Sequence, residues 1–262
     1  MSGAVAVTGA RGVLGAALLP LLAGRAVRPI DRRDGVELED RRALRRALTG
    51  CGAVVHLAAL HPAVAPADAD ARAYQRANVA PFATLLDMAR TTGVRRVVLA
   101  SSTSVWVDAP AGEPAAFYES DHPANSEEPY ALSKRACEDL LRGSGLESVV
   151  LRLARFAHPG SDEDEVRKLY RAVDARDAAV AVALALDRAP SGAVYSVSAT
   201  TPFRQEDALE LGRDPAAVIR RRTGRDAPWT PARIGSVVTS EHARDALDWR
   251  PRYPSVLLTR NN

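Results

Sequence analysis

The sequence has little of what disulfide-bonded or membrane-spanning proteins require. It contains two cysteines, Cys51 and Cys137, in 262 residues, too few for a disulfide framework and suited to a reducing compartment. Its longest apolar runs, residues 13–22 and 178–186, are shorter than the roughly 20 residues that a membrane span needs. The start shows no basic segment followed by an apolar stretch and a cleavage site. We therefore expect a cytoplasmic protein with no membrane partner.

Neither sign of charge dominates. The chain carries 35 basic and 32 acidic residues, for a net charge of +3. The arginine clusters at residues 41–46 and 220–222 lack the aromatic residues and length of a nucleic-acid footprint, so we interpret them as solvated faces. Only Lys134 and Lys168 are lysines, which draws attention to any lysine within a chemical motif.

Apolar runs and helical segments alternate along the first two thirds of the chain. The runs are continuously apolar, which is typical of strands buried on both faces of a parallel sheet. Their alternation with helices predicts an α/β fold, a doubly wound parallel sheet. The predicted strands are residues 3–8, 26–31, 53–59, 96–101, 148–153 and 193–197, and the predicted helices are residues 13–22, 41–48, 71–90, 130–142, 174–186 and 205–211.

A glycine-rich loop joins the first predicted strand to the first helix. Gly9, Gly12 and Gly15 give the spacing Gly-x-x-Gly-x-x-Gly, which provides a tight turn and free N–H groups where a pyrophosphate binds. Asp31 ends the second strand 16 residues after Gly15 and can accept hydrogen bonds from a ribose diol. The alternatives are a plain strand–helix turn for the glycines and a helix cap for Asp31.

Tyr130 and Lys134 are four residues apart on a predicted helix and so share one face. A nearby ammonium favours the phenolate, and we expect it to lower the pKa of Tyr130. The phenol could then exchange a proton with a secondary alcohol or its ketone. The alternative is an ordinary surface pair.

These motifs occur in an order that resembles a known family. The glycine loop, residues 54–59, Asn78, residues 101–106, the Tyr-x-x-x-Lys pair and residues 151–155 follow one another as in the extended branch of the short-chain dehydrogenase/reductase superfamily, the NAD-dependent epimerase/dehydratase family. The compact length resembles its uronate-dehydrogenase-like members. The resemblance implies a Rossmann-type dinucleotide-binding domain at residues 1–160 and a small substrate lobe at residues 161–262 that partly returns to the main sheet.

The resemblance also implies roles for individual residues. Ser102, Tyr130 and Lys134 would be catalytic, and His61, Thr103 and Phe156 would contact the substrate. No metal is implied. The residues implied to bind the cofactor are Gly9, Arg11, Gly12, Val13, Leu14, Gly15, Asp31, Arg32, Leu57, Ala58, Ala59, Asn78, Tyr130 and Lys134.

Asp31 would repel a 2′-phosphate and favours NAD, whereas Arg11, Arg32 and Arg33 leave NADP open. His56 lacks metal-ligand spacing and is interpreted as a buried strand residue.

Three functions stay open on these residues. The first is an NAD(P)-dependent oxidoreductase acting on a secondary alcohol or ketone of a small sugar-like or natural-product substrate. The second is a redox-neutral sugar epimerase that uses the same residues, and the third is a non-catalytic dinucleotide-sensing regulator. The family's 4,6-dehydratases carry acidic residues where this chain has Thr103 and Ser104, so that reaction lacks its acid and base.

Two further expectations concern the substrate and the assembly. Residues 161–172 are short and acidic where sugar-nucleotide enzymes carry a long insert, which predicts a small substrate without a diphosphate. In related enzymes, the helices corresponding to residues 71–90 and 130–142 form a dimer interface, and we expect a homodimer. The apolar residues taken to extend beyond one core face are Leu85, Leu86, Met88, Leu140 and Leu141.

Overall fold

The computed structural model describes residues 3–259. The strands are β1 (Ala4–Thr8), β2 (Val27–Ile30), β3 (Cys51–His56), β4 (Arg96–Ser102), β5 (Ala116–Tyr118), β6 (Glu147–Leu153), β7 (Arg155–Phe156), β8 (Ala172–Val173), β9 (Ala193–Val197) and β10 (Ser236–Val238). Six of them form one parallel sheet in the order β2-β1-β3-β4-β6-β9. Every residue of β1, β3 and β4 is buried. The predicted doubly wound α/β fold is confirmed.

Helices cover both faces of this sheet. They are α1 (Val13–Leu18), α2 (Arg41–Leu48), α3 (Ala71–Tyr74), α4 (Ala80–Thr92), α5 (Pro129–Arg142), α6 (Asp162–Arg167), α7 (Ala175–Arg188), α8 (Ala208–Leu211), α9 (Pro215–Thr223) and α10 (Glu241–Leu247). Residues of α1, α7 and α10 share one hydrophobic core with the sheet. Residues of α2, α4 and α5 build the second core. The glycine loop and the start of α5 thus lie at the carboxyl ends of the central strands.

Proline determines where two predicted helices change geometry. The helix predicted at residues 13–22 is α-helical only to Leu18 and continues as a 3-10 turn, Leu19–Leu22, that contains Pro20. The helix predicted at residues 71–90 contains a π-helical turn, Gln75–Val79, between α3 and α4. Pro81 follows that turn and has no N–H to donate to the carbonyl four residues earlier. The kink predicted at Pro81 is therefore present as a π-turn.

One predicted strand is shorter than expected. Residues 53–59 were predicted as extended, but β3 ends at His56. Beyond it, the N–H groups of Leu57 and Ala58 both donate to the Thr8 side-chain oxygen, at 3.2 and 3.4 Å. This contact diverts the chain from the sheet, which explains why Ala58 and Ala59 lie in a loop.

The chain after residue 160 contributes one strand to the main sheet and also forms elements that lie outside that sheet. β9 is its edge strand, next to β6. Outside it, β10 pairs with β5, and residues of α6, α8 and α9 pack in a third core. The helix predicted at residues 205–211 is a 3-10 turn, Gln205–Asp207, followed by α8. The division of the chain near residue 160 stays a prediction.

The leucines used to argue for a dimer interface are mostly interior. Leu85, Leu86, Met88 and Leu141 are at most 7% exposed in the single chain, whereas Leu140 is 36% exposed. The expectation that these residues extend beyond the core face is wrong for the first four. Helix α4 packs against both α2 and α5 as well as the sheet, so more than one of its faces is covered.

Candidate active site

The glycine loop approaches its neighbours closely enough to exclude side chains at two positions. Gly9 has φ +65°, and a Cβ there would lie 2.7 Å from the backbone nitrogen of Ala58. A Cβ on Gly15 would lie 2.5 Å from the carbonyl oxygen of Ala10. No side chain caps α1 at Gly12. The N–H groups of its first turn thus remain available to an anion.

Asp31 lies at the edge of this loop. Its carboxylate accepts hydrogen bonds from the backbone N–H of Arg11 and of Arg33, both at 3.0 Å. Asp31 therefore caps a short 3-10 turn, Arg32–Asp34, as one sequence alternative proposed. Each carboxylate oxygen has a second lone pair, so the capping role leaves room for ribose hydroxyls.

His56 is a buried strand residue, as interpreted. Its Nδ1 lies 2.8 Å from the hydroxyl of Thr8, and its ring packs on Phe82 at 4.6 Å between centroids. Burial, with Lys134 adding to it, lowers the pKa of His56 to about 3. The imidazole is therefore neutral at pH 7 and helps to hold the ends of β1 and β3 together.

Ser102, Tyr130 and Lys134 meet at the carboxyl end of β4. All three are less than 9% exposed. The side chain of Ser102 lies close enough to Tyr130 to lower its pKa, and its oxygen accepts from the N–H of Ser104 at 3.1 Å. The Nζ of Lys134 donates to the carbonyl oxygen of Ala100 at 2.9 Å and lies 5.9 Å from the centre of the Tyr130 ring. The three residues are therefore brought together, and the surface-pair alternative does not fit their burial.

The pKa of Tyr130 shifts in the direction opposite to the one expected. Burial raises it above the ordinary value, the hydrogen bond with Ser102 opposes the shift, and Tyr74 adds to it. Burial likewise lowers the pKa of Lys134, so the ammonium is itself poorly solvated. Tyr130 is consequently a neutral phenol at pH 7, poised to donate a proton.

The neighbouring Ser101 is committed elsewhere. Its hydroxyl donates to Glu138 at 2.5 Å, and Glu138 forms an ion pair with Arg152 at 2.9 Å. The side chains of Glu138 and Arg152 are 3% and 9% exposed. Arg152 also lies over the ring of Trp106, 5.0 Å from its centre. Ser101 is thus engaged by Glu138, whereas Ser102 accepts from the N–H of Ser104 at 3.1 Å and can still donate its hydroxyl proton.

Asn78 lies in the π-turn and connects two segments of the site. Its Oδ1 accepts from the N–H of Leu60 at 2.7 Å, and its Nδ2 donates to the carbonyl of Leu60 and to the hydroxyl of Ser133. Ser133 in turn donates to the carbonyl of Tyr130. Asn78 therefore orients α5 relative to the loop after β3.

A cleft of about 570 Å³ opens beside Tyr130. Its walls are Pro62, Ala69, Tyr74, Ser104, Trp106, Val107, Asp108, Ser126, Glu128, Pro129, Tyr130, Ala131 and Arg171. The size is that of a small-molecule site. Apolar and aromatic groups supply much of the wall, and its charged groups are Glu128 and the ion pair of Asp108 with Arg171 at 2.8 Å.

The three residues predicted to contact the substrate, His61, Thr103 and Phe156, differ in how closely they approach Tyr130. The ring of His61 is edge-on to the ring of Tyr130, with 5.2 Å between centroids. Partial burial, Lys134 and Arg155 lower the pKa of His61. Thr103 is 3% exposed, and its carbonyl accepts from Arg171 at 2.7 Å. Phe156 packs against the first core. Of these three residues, His61 alone has a ring contact with Tyr130.

Sequence reasoning missed Tyr74 and Arg171. The ring of Tyr74 lies 5.7 Å from that of Tyr130, and its position on the helix before Asn78 was a usable signal. Arg171 donates to Asp108, Ser236, Thr103 and Trp106. These partners are far apart in sequence, so no local pattern identifies Arg171.

Within residues 3–259, no group of three His, Cys, Asp or Glu side chains is arranged to hold a metal ion. The same part of the chain has no helix that is long and apolar enough to cross a membrane.

The chain is similar to proteins of known sequence and structure. The model of the NAD dependent epimerase/dehydratase family matches residues 5–176. A curated relative, the 4-hydroxy-2-methyl-3-oxo-4-farnesyl-3,4-dihydroquinoline-1-oxide ketoreductase of Stigmatella aurantiaca, is 30% identical over 245 residues, covering 78% of this chain and 71% of that protein.

Solved structures of short-chain dehydrogenase/reductase and related proteins are similar to this chain over most of its length. A short-chain dehydrogenase/reductase superfamily protein from Agrobacterium tumefaciens with bound NAD is 25% identical with a TM-score of 0.70, covering 97% of this chain and 94% of that one. MoeE5 in complex with UDP-glucuronic acid and NAD is 26% identical with a TM-score of 0.70, covering 98% and 97%. A mutated uronate dehydrogenase, 22% identical with a TM-score of 0.66 and covering 97% and 83%, shares the fold.

The buried ion pair behind the site generates a stability prediction. We expect Glu138→Gln to lower the free energy of unfolding by about 3–5 kcal/mol, because it leaves Arg152 without its buried counter-charge. Urea denaturation at pH 7 measures the change. Asp139→Asn is the matched control, since Asp139 is 70% exposed and its pair with Arg142 lies on the surface. Equal stabilities of the two variants would contradict the assignment.

Proposed function

The chain belongs to the NAD-dependent epimerase/dehydratase family, and we propose that within it the protein is an oxidoreductase that reduces a ketone of a small sugar-like or natural-product substrate. The observation that carries this proposal is the buried group of Ser102, Tyr130 and Lys134 beside a cleft of about 570 Å³. Tyr130 is a neutral phenol at pH 7 and can donate a proton to the substrate oxygen, which is the step that ketone reduction requires. The ketoreductase activity in the name of the Stigmatella aurantiaca relative supports it further.

The residues at the carboxyl ends of β1 and β2 fit NAD. The glycine loop brings free N–H groups to one place, and Gly9 and Gly15 admit no side chain there. Arg11, Val13 and Leu14 complete the loop that would hold the pyrophosphate, and Asp31, followed by Arg32, would hold a ribose. The loop at Leu57, Ala58 and Ala59, with Asn78, would complete the cofactor side. Two NAD-bound structural neighbours support NAD as the cofactor.

Each catalytic side chain then has one task. NAD, when bound in reduced form, supplies the hydride for the carbonyl carbon. Ser102 holds the substrate oxygen by a hydrogen bond, and the Oη of Tyr130 gives that oxygen its proton, so the ketone becomes an alcohol. Lys134 stabilises the phenolate that remains. In the reverse direction, the same phenolate takes the proton back.

A nucleotide-sugar epimerase is the second candidate. The same three residues serve a transient ketone without net redox change, and MoeE5, which is bound to UDP-glucuronic acid, is covered over 97% of its chain. Net consumption of NADH with a ketone supports the reductase, whereas inversion of an alcohol without net NADH change supports the epimerase. The buried catalytic group gives no support to a non-catalytic regulator.

We expect Tyr130→Phe to lower the rate of ketone reduction by at least about 100-fold, because the ring remains and its proton donor is lost. Absorbance of NADH measures the rate, and fluorescence titration should show cofactor affinity within a few-fold of the wild type. Tyr74→Phe is the control, since Tyr74 lines the same cleft and contacts the Tyr130 ring. Near-normal turnover by Tyr130→Phe would remove Tyr130 from its role.

The substrate proposal is tested with free UDP and dTDP. We expect neither to bind the NAD-saturated protein at micromolar concentration, because the one basic residue that lines the cleft, Arg171, is already bonded to Asp108, Ser236 and two carbonyls. Little is then left to offset the desolvation of a diphosphate. Isothermal titration calorimetry makes the measurement, and MoeE5 is the positive control. Micromolar binding by this chain would favour the nucleotide-sugar epimerase instead.

We also propose a homodimer in a cytoplasmic setting. Leu132 and Leu140 lie eight residues apart on the outer face of α5 and are each 36% exposed. Both cysteines are unpaired and buried, which suits a reducing compartment.

Light scattering at micromolar concentration should give twice the chain mass of 28.0 kDa. We expect Leu132→Asp/Leu140→Asp to give the chain mass, because each carboxylate would be buried in the apolar interface. Leu209→Asp, at an exposed leucine of α8, is the control and should remain dimeric. A wild-type protein at the single-chain mass would contradict the dimer.

A further inference from the structure

Arg171 holds the segment that directly follows β4. Its Nη2 donates to the carbonyl oxygens of Thr103 and Trp106, both at 2.7 Å. These residues lie at the start and just past the end of a 3-10 turn, Thr103–Val105. The side-chain oxygen of Ser102 caps the same turn. One short turn is therefore bonded both to the guanidinium of Arg171 and to the hydroxyl group of the candidate catalytic serine.

The other terminal nitrogen of Arg171 joins this turn to a later part of the chain. Its Nη1 donates to Asp108 at 2.8 Å and to the hydroxyl of Ser236 at 3.0 Å, and Ser236 itself donates to Asp108. Ser236 begins β10, and Arg171 lies between α6 and β8. The elements after β7 are thereby connected to the chain that carries the candidate catalytic serine.

These contacts need a guanidinium group. The two terminal nitrogens of Arg171 carry two protons each, and its four hydrogen bonds use all of them. A lysine ammonium carries its protons on a single atom, so it cannot reach the acceptors on both sides of the arginine fork. The terminal nitrogens also have no proton left for a substrate anion, which favours a role in holding the turn over direct substrate binding.

We propose that Arg171 is a positioning residue for Ser102, because the turn that it holds leaves the Ser102 hydroxyl proton directed to the substrate oxygen. This role rests on the proposed function, in which Ser102 holds that oxygen. The N–H of Ser104, at 3.1 Å, occupies one acceptor direction of the Ser102 oxygen and leaves its single proton free. The turn thus keeps the side chain of Ser102 in one rotamer. If the turn changed shape, the hydroxyl would lose its alignment, which lowers the rate without weakening cofactor binding.

Two measurements on the full chain test this role, and the first needs no substrate. Amide hydrogen exchange followed by NMR reports whether the N–H of Ser104 keeps its bond to Ser102. The amide of Ala73 is the reference, because it is also bonded to a capping side chain, that of Asp70 at 2.8 Å, on α3. The second measurement is the rate of NADH oxidation with isatin as the probe ketone, together with the dissociation constant of NADH from its fluorescence.

The variants are Arg171→Lys, Ser102→Ala and the two combined. Arg28→Lys is the matched control, because Arg28 also donates to backbone carbonyls, among them that of Ala47 at 3.1 Å, but near the end of α2. Ser236→Ala removes one partner of Arg171 and is the milder variant in case Arg171→Lys does not fold. Thermal unfolding shows which variants keep the fold.

In Arg171→Lys, we expect the amide of Ser104 to exchange at least about tenfold faster while that of Ala73 is unchanged. The kcat with isatin should fall at least about tenfold, with the Kd of NADH within about threefold of the wild type. In the Ser102→Ala background, the same substitution should change kcat by less than about twofold, because no hydroxyl is left to position. Ser236→Ala should shift both readouts in the same direction by a smaller amount, and Arg28→Lys should shift neither.

Unchanged exchange of the Ser104 amide in both Arg171→Lys and Ser236→Ala would overturn the hold on the turn. Equal losses of kcat with and without the Ser102 hydroxyl would overturn the positioning role, since general damage to the site acts in both backgrounds. A wild-type chain that binds NADH but reduces neither isatin nor other small ketones would overturn the proposed function and the positioning role with it. The exchange at Ser104 would still tell whether Arg171 holds the turn, so the two failures are distinguishable.

Discussion

The ion pair between Glu138 and Arg152 joins the parts on which the site depends. Glu138 lies on α5 one turn after Lys134, and Arg152 lies on β6. Through Ser101 the pair reaches β4, and through the carbonyls of Ser120 and His122 it reaches the segment beside the cleft. Because both charges are buried, each is stable only while the other stays in place. The catalytic helix, the serine strand and the cleft wall therefore keep one relative position.

Burial and charge act in opposite directions at the reaction centre. Removal from water raises the pKa of Tyr130 and lowers that of Lys134, and the ammonium is turned to the carbonyl of Ala100. Burial thus disfavours the charged form of each group, while the carboxylate of Glu138 opposes the shift at Lys134 and favours its ammonium form. A substrate oxygen that develops negative charge would find both a neutral donor and a cation close by, which favours proton transfer to that oxygen.

The sequence alone was sufficient to locate those parts of the candidate site that depend on the spacing of neighbouring residues. The glycine loop and the shared face of Tyr130 and Lys134 are short motifs on elements that the structure contains. The role of Ser102 comes from the resemblance and stays a proposal. Local spacing says nothing of contacts between distant segments. Arg171 meets Asp108 and Ser236 only after folding, and the burial of Leu85 and Met88 follows from packing of α4 on three sides. The predicted direction of the Tyr130 pKa shift was wrong for the same reason: burial raises this pKa, and burial is a property of the whole fold.

Both lysines of the sequence are interior. Lys134 is 4% exposed and Lys168 is 5% exposed, with the latter bonded to Glu165 and to the carbonyl of Pro254. The exposed cationic side chains of residues 3–259 are therefore guanidinium groups, which do not react with acylating reagents as amines do. Lysine-directed labelling, coupling to a surface or cross-linking would find no accessible side-chain amine in the folded protein. An amine reagent that does modify a lysine here would report that the interior around Tyr130 or α6 has opened.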